Sequence, residues 1–386
     1  MRGRWLAIVA VAAQMVACQA STGSTTSPAV SSTAAAQPSP STTPGLGTNP
    51  STAIQPAAIK CTSPFPTNHP LALVNLYGIE GAVVRDLADF NHPSTVCSIP
   101  ACDNSAGCQA YLTTQYVSPL FAGSGRLSYW GYDGNGFALF VFDMRTGSLS
   151  TELASHAHST LSEPAWSPDG TRLTYRLDVE PGLVEWHLVF RSFDKTLARF
   201  DHLSSGSAQS FIELVGFSAD GQYVAENDNL GTPSTWRIRV LRVADGTTAK
   251  ELVGASAAVW GAAGSRLYFQ SEAGVQVWNG ATNQLDSVLP GYQWLRPQAS
   301  ADGKRIAFTL FQHSGIGVLD LATGNVLEPI SSARSDPRFL TSDLIWSRTL
   351  DTHETYIFDL TTGKESPSID YLFFDAFPHT LAQLSA

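Results

Sequence analysis

The chain has 386 residues, and 43% of them are hydrophobic, which is enough apolar material for a large core. It carries 23 lysines and arginines against 33 aspartates and glutamates, so its formal net charge at pH 7 is −10. A nucleic-acid surface needs basic patches that replace counterions, and this balance argues against one. It also argues against electrostatic attraction to anionic lipid.

Residues 1–17 have the pattern of a signal peptide. Two arginines precede the apolar run 5–13, which is too short to span a bilayer. The next residue, Cys18, completes a stretch that resembles the lipobox of bacterial lipoproteins, in which the cysteine is lipidated and becomes the mature N-terminus. Met15 stands where that motif usually has leucine, and ordinary secretion with cleavage after Ala20 is the alternative. Both interpretations predict an exported protein, held at a membrane by a lipid anchor only in the first.

Residues 18–60 are predicted to form a flexible tether. No charged residue occurs from Gln19 to Ile59, where serine, threonine, alanine, proline and glycine predominate. Such a segment lacks the apolar surface that would offset its ordering entropy. A flexible chain of this length spans about 35 Å. The folded domain is therefore predicted at 61–386, on a tether that lets it move above a membrane.

Four further cysteines are Cys61, Cys97, Cys102 and Cys108. An even number in an exported chain predicts two disulfides, for which three connectivities are possible. Zinc is the rival interpretation, because the last three cysteines lie close together. The oxidising compartment favours disulfides. The sequence therefore predicts no metal and no other cofactor.

A repeated phrase dominates the remainder of the chain: EPAWSPDGTRLTYR at 163–176, LVGFSADGQYVAE at 214–226 and RPQASADGKRIAFTLF at 296–311. Alternating apolar residues after each Asp-Gly pair predict a strand with one buried face. A second strand follows and ends in an Asp-x-x-Thr-Gly turn at 137–147, 315–324 and 354–363. Hairpins at roughly forty-residue spacing, with four strands per unit, predict the blades of a β-propeller.

The strands after the repeated turn are predicted to align by their first apolar residue, at Leu127, Leu173, Val224, Leu267, Ile306 and Leu344. Two residues further on stand Tyr129, Tyr175, Glu226, Phe269, Phe308 and Trp346. Glu226 is thus the exception in a column of aromatic residues. Either the strand ends early and Glu226 is solvated, or a neighbouring arginine or backbone donors hold its carboxylate near the rim of the ring.

The phrase WSPDGTRLTY at 166–175 resembles the WD40-like, or PD40, repeat of TolB-type propellers. The resemblance covers about 112–370 as six units, namely 112–153, 160–203, 211–253, 257–289, 295–330 and 336–369. Residues 72–87 are similar to the second half of a blade and 371–386 to a first half. The expected fold class is therefore all-β, a seven-bladed β-propeller of six full blades and one composite blade closed by N- and C-terminal strands. Closure of this kind removes exposed sheet edges.

The connections at 130–136, 178–186 and 226–236 are predicted to lie on the face opposite the repeated turns, and function often resides on such loops. This face carries the candidate binding residues Glu226, Asp228, Asp133, Asp178, Glu180 and Glu185.

No G-x-S-x-G elbow, P-loop, dinucleotide fingerprint or HExxH helix occurs in the sequence, so no catalytic residue is nominated. The sequence favours a monomeric, non-catalytic envelope module that binds a protein or glycan partner. A propeller lyase or hydrolase with a site at the channel mouth is the alternative.

Overall fold

A computed structural model describes residues 60–62, 71–75, 82–86, 89, 94–99, 120–122, 126–132, 137–143, 148–156, 160–161, 164–180, 183–190, 193–201, 211–229, 236–300, 302–310, 315–330, 333–349, 354–368 and 372–377. The predicted signal peptide, Cys18, nearly all of the tether, Cys102 and Cys108 lie outside these ranges. The residues described belong to one compact unit, Thr52–Ala386. Their regular elements are all β-strands, and none of them forms a helix long and apolar enough to cross a bilayer.

The segment 60–99 supplies the first four strands: β1 (Lys60–Cys61), β2 (Leu71–Asn75), β3 (Ala82–Asp86) and β4 (Ser94–Ile99). Six antiparallel sheets follow along the chain, which we number sheet 1 to sheet 6. Sheet 1 contains β5 (Leu120–Ala122), β6 (Arg126–Tyr132), β7 (Phe137–Asp143) and β8 (Ser148–His156). Sheet 2 contains β9 (Thr160–Leu161), β10 (Ala165–Trp166), β11 (Leu173–Glu180), β12 (Leu183–Phe190) and β13 (Phe193–Asp201). Sheet 3 contains β14 (Phe211–Phe217), β15 (Tyr223–Asn229), β16 (Arg237–Arg242) and β17 (Thr248–Val253).

The next three sheets have the same order of strands. Sheet 4 contains β18 (Ser256–Trp260), β19 (Arg266–Ser271), β20 (Gly274–Asn279) and β21 (Gln284–Pro290). Sheet 5 contains β22 (Trp294–Ala299), β23 (Arg305–Leu310), β24 (Ile316–Asp320) and β25 (Val326–Ile330). Sheet 6 contains β26 (Arg334–Phe339), β27 (Leu344–Thr349), β28 (Thr355–Asp359) and β29 (Lys364–Pro367). These six sheets correspond to the six predicted repeat units.

A composite sheet joins the two ends of the domain. Its order is β1-β4-β3-β2-β30, where β30 is Leu372–Phe377. The C-terminal segment thus contributes one described strand and the N-terminal segment four, which corrects the expected division into two halves. The reason is that 94–99 pairs with β3 as a further strand, and β1 adds to it at the edge.

The first strands of neighbouring sheets contact one another in turn, from β5 through β10, β14, β18, β22 and β26 to β30 and back to β5. First strands that meet in this cyclic order line the inside of a ring, as in a β-propeller. The all-β propeller fold is therefore confirmed. The described residues form seven sheets, and the number of blades in the whole ring stays a prediction.

The repeated phrase forms a turn that its own side chains hold together. In sheet 3, the Ser218 hydroxyl donates to Asp220 Oδ1 at 2.6 Å and accepts from the Tyr223 amide at 3.0 Å. Asp220 Oδ1 also accepts the Gln222 amide at 3.1 Å. Gly221 has φ of 68°, a left-handed conformation that favours glycine. Sheets 2 and 5 repeat this bonding at 167–172 and 300–305, so the phrase specifies a turn.

The sheets are antiparallel, so the turns after the first and third strands lie on one face, which we call the turn side. The connections after the second and fourth strands lie on the opposite face, which we call the far side. This assignment agrees with the two faces predicted from the repeat. The Asp-x-x-Thr-Gly turns follow the third strands, where Asp320 Oδ1 accepts the amide and the hydroxyl of Thr323 at 2.9 and 3.0 Å.

The core lies between neighbouring sheets. Residues of β15 and β16 pack against residues of β18, β19 and β20 in a cluster that contains Tyr223, Ala225, Ile238, Val240, Trp260, Leu267, Phe269 and Trp278. Ile306 and Phe308 of β23 pack in the same way against Tyr268 and Val275 of sheet 4. On β19 and β23 the predicted column of apolar and aromatic residues therefore faces the preceding sheet. In sheet 3, Tyr223 and Ala225 face sheet 4, so alternation turns Val224 and Glu226 toward the preceding sheet as well.

The register of sheet 6 differs by one residue from the prediction. Leu344 pairs with Asp359, as Arg305 pairs with Asp320 in sheet 5. Ile345, which is fully buried, is therefore the equivalent of Ile306, and the predicted alignment of Leu344 is wrong. Each residue of a strand faces the side opposite its neighbour, so a slip of one exchanges the faces. The column two residues further on now holds Ser347 in sheet 6 in place of Trp346.

A polar residue that follows this column links each of three sheets to the next. Asn227 accepts the Ala258 amide at 3.2 Å, Gln270 accepts the Trp294 amide at 2.8 Å, and Thr309 accepts the Asp336 amide at 3.1 Å. All three acceptors occupy the same repeat position, and all three amides belong to first strands. The bonds fix the first strand of each sheet to the second strand of the preceding one.

Candidate functional site

Most of the predicted acidic residues lie in strands. Asp178 and Glu180 belong to β11, Glu185 to β12 and Asp228 to β15, while Asp133 lies outside the described residues. The segment 178–186 was expected to be a long loop, but β11 pairs with β12 up to Glu180 and Leu183. That expectation is therefore wrong, because the strand ladder continues to the end of the hairpin. The connection in sheet 2 is thus shorter than expected, and binding by the predicted acidic residues stays a prediction.

Glu226 lies inside β15 and is only 2% exposed. Its Oε1 is 3.1 Å from Nη1 of Arg239, which is itself 5% exposed and is its Cα partner on β16. The solvated interpretation of Glu226 is therefore wrong, and the second interpretation correctly expected an arginine partner. A buried carboxylate persists when a partner neutralises its charge. Since this column faces the preceding sheet, the ion pair is part of the packing between sheets.

The sequence contained a signal for this pair. In RIRVLR at 237–242, arginines alternate with apolar residues, and an antiparallel partner brings them opposite the acidic residues of β15. The register pairs Arg239 with Glu226 and Arg237 with Asp228. Opposite charges at directly paired positions stabilise a sheet. The alternation therefore predicted a charge ladder, which was not recognised because the acidic residues were assigned to a loop.

A different polar cluster lies on the first strands of sheets 5 and 6. Asp336 of β26 is bonded through one carboxylate oxygen to Arg296 of β22 and through the other to Arg348 of β27. Its amide donates to Thr309 Oγ1 at 3.1 Å. The Asp336 side chain is 10% exposed, whereas those of Arg348 and Arg296 are 27% and 62% exposed. We call Arg296, Asp336 and Arg348 the arginine cluster.

Backbone bulges place the arginine cluster. In β22 and β26, two residues oppose one residue of the second strand, at Arg296-Pro297 and at Asp336-Pro337. Arg296 and Asp336 have φ of 49° and 56°, values that are uncommon for residues other than glycine. Ala257 occupies the equivalent bulge of sheet 4, with φ of 47°. Bulges re-aim side chains, and strained residues often lie at functional sites.

The arginine cluster lies midway along the inner strands. Arg296 and Asp336 are each the third of six residues in β22 and β26. The guanidinium of Arg296, whose side chain is 62% exposed, is thus presented on the inner strand of sheet 5. These residues were not identified from the sequence. A signal was present, since arginine or aspartate precedes proline at matching positions of the two strands. Proline lacks the amide that a strand ladder requires, so these pairs indicate a bulge.

Two buried hydroxyls lie beside the cluster. Ser335 precedes Asp336 and is the Cα partner of Arg348, and Ser347 stands opposite the bulge of β26. They are 5% and 0% exposed, and neither hydroxyl has a hydrogen-bond partner among the residues described. Buried hydroxyls are normally satisfied by protein, water or ligand atoms. The cluster therefore combines guanidinium groups with hydroxyls that can accept further polar contacts.

The structure tests part of the disulfide prediction and part of the rival metal interpretation. Cys61 and Cys97 face each other on β1 and β4 and form a disulfide. Cys102 and Cys108 lie outside the described residues, so their predicted bridge stays a prediction. Within the described part of the chain, no three His, Cys, Asp or Glu residues are grouped as a metal site would require.

The fold and the cluster define a β-propeller with a cationic group on its inner strands. Comparison with protein-family models and with curated proteins found no match. Among solved structures, a prolyl endopeptidase is similar with 14% identity over 80% of this chain and 49% of that chain, at a TM-score of 0.55. This chain thus spans about half of that protein.

An oligogalacturonate lyase from Vibrio parahaemolyticus is similar with 10% identity over 78% of this chain and 84% of that chain, at a TM-score of 0.51. TolB from Acinetobacter baumannii also matches, with 13% identity over 80% of this chain and 66% of that chain, at a TM-score of 0.45. At such identities the likeness shows the propeller fold alone. That fold serves both enzymes and binding proteins.

Proposed function

We propose that the protein is an exported, lipid-anchored β-propeller that binds a protein or glycan partner in the cell envelope without catalysing a reaction. Support for export comes from the signal-like residues 1–17, the lipobox-like position of Cys18 and the uncharged tether. The disulfide between Cys61 and Cys97 also fits an oxidising compartment. The anchor holds the domain near a membrane, and the tether gives it reach.

The observation that carries the binding function is the composition of the arginine cluster. The planar guanidinium groups of Arg296 and Arg348 present a fork of N–H donors that suits an anionic ligand. Asp336 accepts bonds from both guanidinium groups with its two oxygens, so the carboxylate of the arginine cluster is already engaged. A cluster of this kind is suited to hold a ligand.

Membrane fractionation of the native host tests the anchor. Wild-type protein is expected in the membrane fraction, and Cys18→Ser is expected in the soluble exported fraction because the lipid is lost. Ser21→Ala, in the same tether, is the matched control and should stay with the membrane. Unchanged partitioning of Cys18→Ser would overturn the lipid anchor.

Cross-linking in the intact envelope tests the binding role. The wild-type protein is expected to cross-link to a specific partner, and that cross-linked species should be absent from cells that lack the protein. Release of a chemically altered product from that partner by the purified protein would contradict a non-catalytic role.

A further inference from the structure

We propose that the arginine cluster binds the carboxylate of a sugar acid and that Arg296 is the residue that contacts it. This inference rests on the proposed function, since it names the ligand class and the site through which the propeller binds. The ligand would contact the inner strand of sheet 5, where the side chain of Arg296 is 62% exposed.

Arg296 has the geometry of a carboxylate receptor. Its guanidinium carries five N–H donors in a planar fork, and its described bond to Asp336 uses Nη1. The side chain is 62% exposed, so the rest of the fork faces solvent. Arginine binds a carboxylate through two parallel hydrogen bonds, which adds orientation as well as attraction. Asp336 fixes the guanidinium from behind and makes it a positioned donor.

The local charge also favours an anion. Two guanidinium groups and one carboxylate leave the arginine cluster with one net positive charge, in a chain whose formal net charge is −10. Arg338 lies on the same strand β26, and no ion pair joins it to a carboxylate in the described ranges. The inner strands of sheets 5 and 6 are therefore a cationic region of an otherwise acidic protein.

The neighbouring groups match a sugar better than a peptide C-terminus. The Ser335 hydroxyl, next to Asp336 and paired across the ladder with Arg348, has no described partner. Because this hydroxyl is buried, it would reach a sugar hydroxyl through a bridging water, for which it can both donate and accept. Leu295, adjacent to Arg296, is 39% exposed and offers apolar surface to the C–H face of a pyranose ring.

Isothermal titration of purified full-length protein in detergent tests the site with sodium glucuronate as the probe. Saturable binding of glucuronate is expected, with at least tenfold weaker binding of glucose, which has the ring and hydroxyls but no carboxylate. Arg296→Met should weaken glucuronate binding at least tenfold while the domain stays folded, since Arg348 still pairs with Asp336. Arg266→Met is the matched control, because Arg266 is exposed on the turn side, and it should bind as the wild type does.

Four outcomes would overturn the proposal. Equal binding of glucose and glucuronate would remove the role of the carboxylate. Loss of glucuronate binding in Arg266→Met as well as Arg296→Met would place the effect outside the arginine cluster. Binding of a short peptide with a free C-terminal carboxylate, but not of its amide or of glucuronate, would assign the site to peptides. Absence of any glucuronate binding would refute the site while leaving membrane anchoring and partner capture, which test the proposed function, unaffected.

Discussion

The buried ion pair between Glu226 and Arg239 predicts a specific pattern of stability changes. Glu226→Gln removes the carboxylate charge but leaves the Arg239 guanidinium in place, where the residue is 5% exposed. Breaking a buried pair by neutralising one partner costs about 3–5 kcal/mol, because the other charge stays buried and uncompensated. For a domain of this size, the loss corresponds to a fall in melting temperature of roughly 5–8 °C.

A double-mutant cycle isolates the pair from other contacts. Arg239→Met alone should destabilise by a similar amount, whereas Glu226→Gln combined with Arg239→Met should lose less than the two single losses added together. A coupling free energy of about 2–3 kcal/mol is expected, as is usual for contacting residues in one network. Urea unfolding of the four proteins, followed by tryptophan fluorescence, measures each free energy of unfolding.

The control is Arg242→Met, because Arg242 is on the same strand, is exposed, and donates to Thr247 Oγ1 at 3.3 Å. Such an exposed substitution should cost about 0–1 kcal/mol. The reasoning is refuted if Glu226→Gln costs no more than Arg242→Met, or if the two substitutions of the cycle are additive. Glu226 would then be solvated, as the first interpretation of the sequence held.

Three further predictions concern turns, the disulfide and one glycine. Peptide mapping without reduction should find Cys61 linked to Cys97, and a different partner for Cys61 would contradict the structure. The double variant Cys61→Ser, Cys97→Ser should lose about 4 kcal/mol of stability, because the unfolded chain regains the entropy of a loop that the bridge closes over a separation of 36 residues. Burial opposes ionisation of Asp220, but the hydroxyls of Ser218 and Ser265 outweigh it and lower its pKa. The stabilising effect of the Asp220 carboxylate is therefore complete above the ordinary pKa of about 3.9 and is lost as pH falls through the lowered pKa. Asp220→Asn should thus have a lower melting temperature than the wild type at pH 7, and its melting temperature should fall less between pH 5 and pH 3. An equal fall in the melting temperatures of both proteins would count against this role. Gly274→Ala should lower the free energy of unfolding by at least about 3 kcal/mol, because φ is 109° and the added Cβ would meet the backbone of Leu289 and Gly291. Gly254→Ala, where the added Cβ meets no atom, should cost about 1 kcal/mol. Equal losses in the two variants would mean that β20 and β21 do not pack as described.

The repeat made the fold predictable. Serine, aspartate and glycine at fixed spacing hold the turn of each first hairpin by local bonds, such as those of Ser218 and Asp220, so a short phrase specifies its own structure. Period-two alternation then marked the second strands. It failed in sheet 6, where LIW at 344–346 has three apolar residues in succession and alternation gives no unique register. The pairing of Leu344 with Asp359 resolves it.

The candidate site was less predictable, because it depends on contacts between distant positions. Glu226 could be recognised as unusual within its column, but its burial follows from Arg239 on the next strand. The arginine cluster joins residues that are 40 positions apart in the chain, Arg296 and Asp336. Only the equivalence of two bulges on neighbouring first strands brings them together. Local sequence indicates each bulge, whereas the order of sheets in the ring determines what meets there.

Capture of envelope glycans on the purified protein tests the central claim most directly. Immobilised full-length wild type, Arg296→Met and Arg266→Met would be incubated with solubilised native envelope, and the uronic acid content of the bound material would be measured. The account predicts that wild type and Arg266→Met retain glycan that contains uronic acid and that Arg296→Met does not. Equal retention by all three proteins, or retention by none, would contradict it.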